Sequence, residues 1–394
     1  MAKVMVLGAG VYQVPLIRSV QSLGHRAIVV SRAGDYPGFA IADAVYEIDT
    51  TDTEGILAAA RMEGVDGITT TGTDVAVPAL GAVCDALGLR GISASAAARV
   101  TDKSVMKRAF VDGGISTSAF EVVYSGRQAR DAAERLGYPV MIKACDVSGS
   151  RGITKTSSAH EVAAAYREAE RVTRADRVVV EKYVEGVDVG FEAFISNGDL
   201  QFCLTHDKFV CEVQGIAVSV GHAFPFSGDA EFQTAVESEV RKIVAATGVD
   251  NSAIDGDLRL SSDGSISVIE VGGRCGATCI PELISMSIGI DFYRQIVLNS
   301  LGENVTFSFS EVRPSMAKLL FDERGGIVKA VDGARLQHLR EAHAAQIELD
   351  VQIGDVVRPM HDGTDRYGQV IMATNDVDAF DAVLSEVAGC VTIE

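Results

Sequence analysis

Short apolar runs alternate with amphipathic stretches through the first ninety residues. Val4 to Leu7 is continuously apolar and reads as a buried strand, Gly8-Ala9-Gly10 as a turn, and Pro15 to Leu23 as a helix. Ala27 to Val30 and Gly67 to Thr70 read as further strands, with a helical stretch from Thr53 to Met62 between them. Such a rhythm implies a parallel, doubly wound sheet. The last ninety residues change character. Met316 to Phe321, Gly326 to Val331, Gln346 to Ile353, Asp355 to Met360 and Gln369 to Ala373 read as short strands between turns. A helix from Val377 to Val387 and a terminal strand from Cys390 to Ile393 follow, which predicts a small, mostly antiparallel C-terminal domain.

A chain of 394 residues has room for two or three cores, and 47% apolar with 23% charged residues is ordinary globular composition. The formal charge of −19 repels phosphate backbones, so a nucleic-acid partner is not expected. The seven cysteines form no CxxC pair, which predicts reduced, core-packing thiols. With no leader-like start and no membrane-length apolar run, the protein is expected in the cytoplasm with no membrane partner. Gly8-x-Gly10 suggests a dinucleotide loop, but position 13 is Gln and Ser31-Arg32 stands where an acidic residue is required. A nicotinamide site is therefore not expected.

Three segments carry chemistry. An apolar strand ends at Lys143 and is followed by Ser148-Gly149-Ser150-Arg151-Gly152, a small-residue loop whose N–H groups suit phosphate oxygens. It lacks the GK[ST] ending and does not open a helix, so it is not a P-loop, and a plain hairpin turn has the same pattern. A second strand runs through Val178 to Val184 into Glu185-Gly186 and then Asp188, which suits a hinge that reads an adenine edge. A third segment is a hairpin, Ser252 to Leu260 and Ile266 to Gly272, turning at Asp263-Gly264. It places Asp257 and Glu270 on opposing strands, where two carboxylates repel unless a cation lies between them. Magnesium carrying nucleotide phosphates is such a cation, and Arg274 adds a fixed positive fork nearby.

In this order, Lys103, Lys143, the SGSRGI loop, EKYVEG and the DLRL…VIEVGGR hairpin resemble the ATP-grasp superfamily, in particular its L-amino-acid ligase branch. The resemblance implies an α/β ATP-grasp fold with an N-terminal α/β domain over 1–92. An ATP-grasp domain over 93–310 would follow, with a lid at about 115–182, and then a C-terminal α+β domain over 311–394. It implies that Lys103 and Lys143 contact ATP phosphates, and that Ser148, Gly149, Ser150 and Gly152 form a flexible lid loop. Glu181, Lys182, Tyr183 and Val184 would be the adenine hinge, and Asp188 the ribose acceptor. Asp257 and Glu270 would bind magnesium, or manganese in its place. Lys208 is a further candidate for the triphosphate, His206 for the same cleft, and Arg274 for an oxyanion or a substrate carboxylate. Arg274 to Cys279 is placed beside the acceptor by position, whereas Met286 and Tyr293 are expected in the core.

The expected activity is ATP-dependent joining of a small carboxylate to an amine through an acyl phosphate, with release of ADP and phosphate. A homodimer is implied by the same resemblance. The sequence departs from the family pattern at Gly272, where many members carry a metal-binding Asn, and at Asp188, where Glu is commoner. Two other readings stay open. One is a carboxyphosphate-forming enzyme of purine, carbamoyl or biotin type that uses bicarbonate; the other is a degenerate nucleotide-binding protein.

Overall fold

The computed structural model describes every residue except Ser148, Ser150, Gln214, Gly215 and Asp229. Its first unit is a parallel sheet whose strands lie in the order Ala44–Glu47, Arg26–Ser31, Lys3–Leu7, Gly67–Thr69. Val4, Met5, Val6 and Leu7 are fully buried, because helices cover both faces of a parallel sheet. Helix Val14–Ser22 starts on Pro15, whose missing N–H has no partner to lose in a first turn. Helix Thr53–Glu63 is bounded by the Asp52 side chain, which accepts from Gly55 N–H, and by Gly64 at φ +62°. The strand Ala44–Glu47 escaped the sequence pattern because it is only four residues long and none of them is fully buried.

The glycine loop after the first strand holds its own side chain. Gln13 Oε1 accepts from Gly10 N–H, and its Nε2 donates to Thr71 O. A Cβ on Gly8 would lie 2.9 Å from the Gln13 amide, so that amide fills the cradle a pyrophosphate would need. This agrees with the absence of a dinucleotide fingerprint.

Within the segment expected to be a lid, a four-stranded antiparallel sheet runs Phe120–Val123, Val178–Lys182, Val140–Ala144, Ile153–Thr156. Helices Gly126–Leu136 and Ala159–Val172 back it, and Ala133, Val140, Ile142, Val162, Ala169 and Val180 give it a core of its own. A body with a separate core can move as a unit.

The largest sheet has eight strands. They lie in the order Ile266–Gly272, Ser252–Leu260, Val187–Ser196, Asp199–Val213, Ile216–Phe224, Ser315–Leu320, Gly368–Met372, Gln346–Leu349. The expected division near residue 310 falls between helices and strands, yet this sheet crosses it, with His222 opposite Ala317. The C-terminal segment also reaches the first unit, where Tyr12 Oη donates to Gly363 O at 2.6 Å. Helix Gly333–His343 was missed because only Leu336 and Leu339 are buried along it, an apolar stripe too thin to read. Strand Val356–Val357 is shorter than its sequence pattern suggested.

Phe292 is fully buried, and its ring centroid lies 5.7–6.0 Å from those of Phe194, Phe202 and Phe307. Phe292→Ala is expected to destabilise the protein by about 3–5 kcal/mol, read as a lower midpoint of urea unfolding.

Candidate active site

Asp257 and Glu270 are directly opposed in the register of their hairpin, next to an irregularity between Asp257 and Leu258. The same row continues through Gly190 to His206 on the neighbouring strands. Side chains directly opposite on antiparallel strands share a face. One face of the large sheet thus presents Glu270, Asp257 and His206 in line, with Gly190 leaving room. A Cβ on Gly190 would lie 2.0 Å from His206 Cε1.

Each carboxylate of the pair has a lysine partner. Glu270 meets Lys103 Nζ at 3.2 Å, and Asp257 accepts from Lys208 Nζ at 2.7 Å. Lys103 reaches the row from the first turn of helix Lys103–Asp112, where Asp102 caps through Ser104 and Val105 N–H. Its ammonium also donates to Val147 O at 3.0 Å, which ties the helix to the small-residue loop. The Lys103 ammonium holds the Glu270 carboxyl down at about 2 against the opposing effect of burial. Burial opposes the charge of Lys208, but Asp257 outweighs it and pushes the ammonium up to about 12. Burial also depresses His206 to about 4 and keeps its imidazole neutral. Its Nδ1 lies 3.2 Å from Nδ1 of His222.

A second charge cluster lies beneath the lid. Glu181 is 2% exposed and pairs with Lys143 on the neighbouring strand and with Lys107 at 2.9 Å. Burial disfavours its charge, yet the two ammonium groups hold it at about 2. Lys107 was missed in the sequence reading. The available signal was its place one helical turn after Lys103, on the same face. Glu181 and Lys143 are thereby brought together, but Glu181 points into this cluster with both oxygens engaged.

The hinge residues take distinct positions. Lys182 N–H donates to Ala119 O and Tyr183 N–H to Pro139 O, so their backbone donors serve the lid. Lys182 Nζ caps Gly137 O and Tyr138 O. The Tyr183 ring lies under Lys155 Nζ at 3.6 Å and near the Arg259 guanidinium at 5.6 Å. Val184 follows the strand, and Asp188 pairs with Arg259 at 3.0 Å. Burial, partly offset by Arg259, raises the Asp188 carboxyl. In the loop, Gly149 and Gly152 have φ of +69° and +65°, and a Cβ on Gly152 would meet Val172 and Ala144. Ser148 and Ser150 lie outside the described residues.

Arg274 is clamped between two carboxylates. Its Nη2 donates to Asp74 at 2.6 Å, and its Nη1 donates to Asp255. Asp255 in turn stands beside Glu192, a fully buried group whose Oε1 accepts from Gly276 N–H at 3.0 Å. Burial, reinforced by Asp255, raises Glu192 well above the usual carboxylate range. This arrangement explains Gly272. A Cβ there would lie 2.6 Å from Asp74 Oδ1 and 3.3 Å from the Arg274 guanidinium carbon, so the Asp74 carboxylate occupies the volume of a side chain at 272. Thr278 and Cys279 follow at φ of +55° and +67°, a strained pair just before helix Ile280–Ile288. Met286 and Tyr293 pack into the core as expected.

A cavity of about 370 Å³ adjoins the Asp257–Glu270 pair and the Arg274 clamp, lined among others by Asp74, Lys103, Arg151, Asp257, Glu270 and Arg274. Residues 136–282 match the model of the ATP-grasp domain. That segment is similar to an ATP-grasp domain. Residues 318–394 match L-amino acid ligase C-terminal domain 2. Formate-dependent phosphoribosylglycinamide formyltransferase of Herminiimonas arsenicoxydans is 31% identical over 187 residues, 46% of each chain. The chain spans about half the length of the curated relatives it matches. Phosphoribosylglycinamide synthetase from Anaerococcus prevotii superposes with a TM-score of 0.81 at 26% identity, covering 100% of this chain and 99% of that one. L-amino acid ligase from Bacillus licheniformis superposes with a TM-score of 0.82 at 18% identity, over 100% and 98%, a likeness of fold. The ATP-grasp architecture expected from the motifs is therefore present. No described helix is long and apolar enough to cross a membrane.

The ionised Glu181 supplies stability that depends on pH. Its folded value of about 2 lies below the ordinary 4.5, so its contribution is complete above pH 4.5 and is lost as pH falls toward 2. Glu181→Gln is expected to flatten the acid limb of a stability–pH curve in that window, measured by denaturant unfolding.

Proposed function

We propose that the protein is an ATP-dependent ligase that joins a small carboxylate to an amine through an acyl phosphate. The observation that carries this reading is the row of paired charges: Lys103 with Glu270 and Lys208 with Asp257. Opposed carboxylates and lysines in one cleft suit a metal–triphosphate, because both sets of partners can exchange at once. Asp257 and Glu270 would hold the cation, and Lys103 and Lys208 would be freed to offset the phosphate charge.

The donor set fits magnesium. Asp257 and Glu270 are hard oxygen ligands directly across a strand pair. Among the described residues no three His, Cys, Asp or Glu side chains gather into a cage, so the remaining ligands would come from phosphates and water. Magnesium, or manganese in its place, would neutralise phosphate charge there. Lys103, Lys143 and Lys208 offset the charge that develops as a carboxylate oxygen bonds to the γ-phosphorus and the bond to the leaving ADP oxygen breaks. The amine nitrogen then bonds to the acyl carbon, the carbon–oxygen bond to phosphate breaks, and the amine releases a proton. The lid body, with Gly149 and Gly152, closes over this chemistry and excludes water. Tyr183 and Val184 flank the adenine, and Asp188 accepts from the ribose. Arg274, fixed by Asp74 and Asp255, orients the acceptor end and offsets negative charge at the acyl carbon.

The name of the formate-dependent relative supports a carboxylate as the group activated. It also favours a second reading, a purine-type enzyme with a phosphoribosyl amine as acceptor. The match of residues 318–394 favours an amino acid instead. Bicarbonate as the activated acid and a partner subunit in a homodimer belong to the same test. Purified protein with MgATP and hydroxylamine is expected to form ADP and a hydroxamate only with the correct carboxylate, drawn from a panel of amino acids, formate and bicarbonate. AMP in place of ADP overturns the acyl-phosphate route. Hydroxamate with formate alone, followed by turnover with phosphoribosylglycinamide, establishes the purine-type reading. Asp257→Asn is expected to lower kcat about 100-fold or more, as loss of a preorganised charge at phosphoryl transfer does.

A further inference from the structure

The two lysines of the buried Glu181 cluster are held with different firmness. Lys107 is 2% exposed, and its ammonium has three acceptors: Thr117 Oγ1 at 2.7 Å, Ser118 Oγ at 3.2 Å and Glu181 Oε2 at 2.9 Å. An ammonium has three hydrogens, so Lys107 is saturated and fixed. Ser118 Oγ also donates to Glu181 Oε2 at 3.1 Å. Lys143 meets only the other oxygen, Oε1, among the described residues. One carboxylate therefore stands between two buried ammonium groups, one anchored and one on a single tether.

We propose that Lys107 is a positioning residue that keeps Glu181 charge-compensated, so that Lys143 can leave it for a nucleotide phosphate. The inference rests on the nucleotide reading above. Its physical basis is the cost of a lone buried charge. If Lys143 were the sole counter-ion of Glu181, moving it to a phosphate would strand a carboxylate that is 2% exposed. With Lys107 and Ser118 on Oε2, the carboxylate stays paired and hydrogen-bonded while Oε1 is released. The spare positive charge is then presented to the phosphates and not consumed within the protein. Lys107 itself does not touch the nucleotide.

The test is equilibrium binding of ATP, ADP and adenosine, with magnesium, to the full chain and to Lys107→Met, Lys107→Arg and Lys107→Met/Glu181→Gln. Lys107→Met is expected to weaken ATP and ADP about tenfold or more and leave adenosine unchanged. Lys107→Arg restores most of the loss. The double variant also restores it, because a neutral Gln no longer retains Lys143. That variant replaces a buried pair by neutral groups of similar size, so it decides the matter even where Lys107→Met fails to fold. Wild-type-like ATP binding by Lys107→Met, equal losses for adenosine, or additive losses in the double variant overturn the proposal. A wild-type protein that binds adenosine, ADP and ATP not at all overturns the nucleotide reading, and this inference with it.

Discussion

Like charges set directly across a strand pair are the constraint on which the cleft depends. Asp257 and Glu270 face each other in register, an arrangement that costs energy unless positive charge lies close. Lys103 and Lys208 supply it, and both come from elsewhere in the chain, one from a helix start and one from within an interior strand. The hairpin, the helix Lys103–Asp112 and the strand Asp199–Val213 must therefore be docked together for the row to be neutral. Gly190 serves the same row by leaving space for the His206 ring.

The Arg274 cluster follows a related logic with the signs reversed. Here a guanidinium is held by two carboxylates, and the glycine at 272 is the space that one of them needs. Asp74 comes from the parallel-sheet unit, and Asp255 from the large sheet. Arg274 is thus a joint between two bodies as much as a charge in the cleft. The absence of an Asn side chain at 272 reflects that packing and is no sign of a decayed site.

Lid and base are joined differently. The segment expected to be a lid has its own core, and the backbone donors of Lys182 and Tyr183 are spent within it. Its links to the base include the Lys103 contact with Val147 and the shared Glu181 cluster. Both links run through lysines of a single helix.

Much of this was legible along the chain. The burial of Val4 to Leu7, the hairpin with Asp257 opposite Glu270, and the strand that ends at Lys143 follow from local periodicity and turn residues, which act over a few positions. The parallel unit was likewise readable, from the alternation of apolar runs and amphipathic stretches. What the chain could not show by itself is which charges meet. Lys107 with Glu181 spans 74 positions, Asp74 with Arg274 spans 200, and Tyr12 with Gly363 spans 351. These pairings depend on the docking of whole sheets and helices, for which a linear pattern has no period. Local order was written in residue spacing; the partnership of each buried charge was decided only by tertiary packing, because a charge takes whichever counter-ion the folded chain brings within reach.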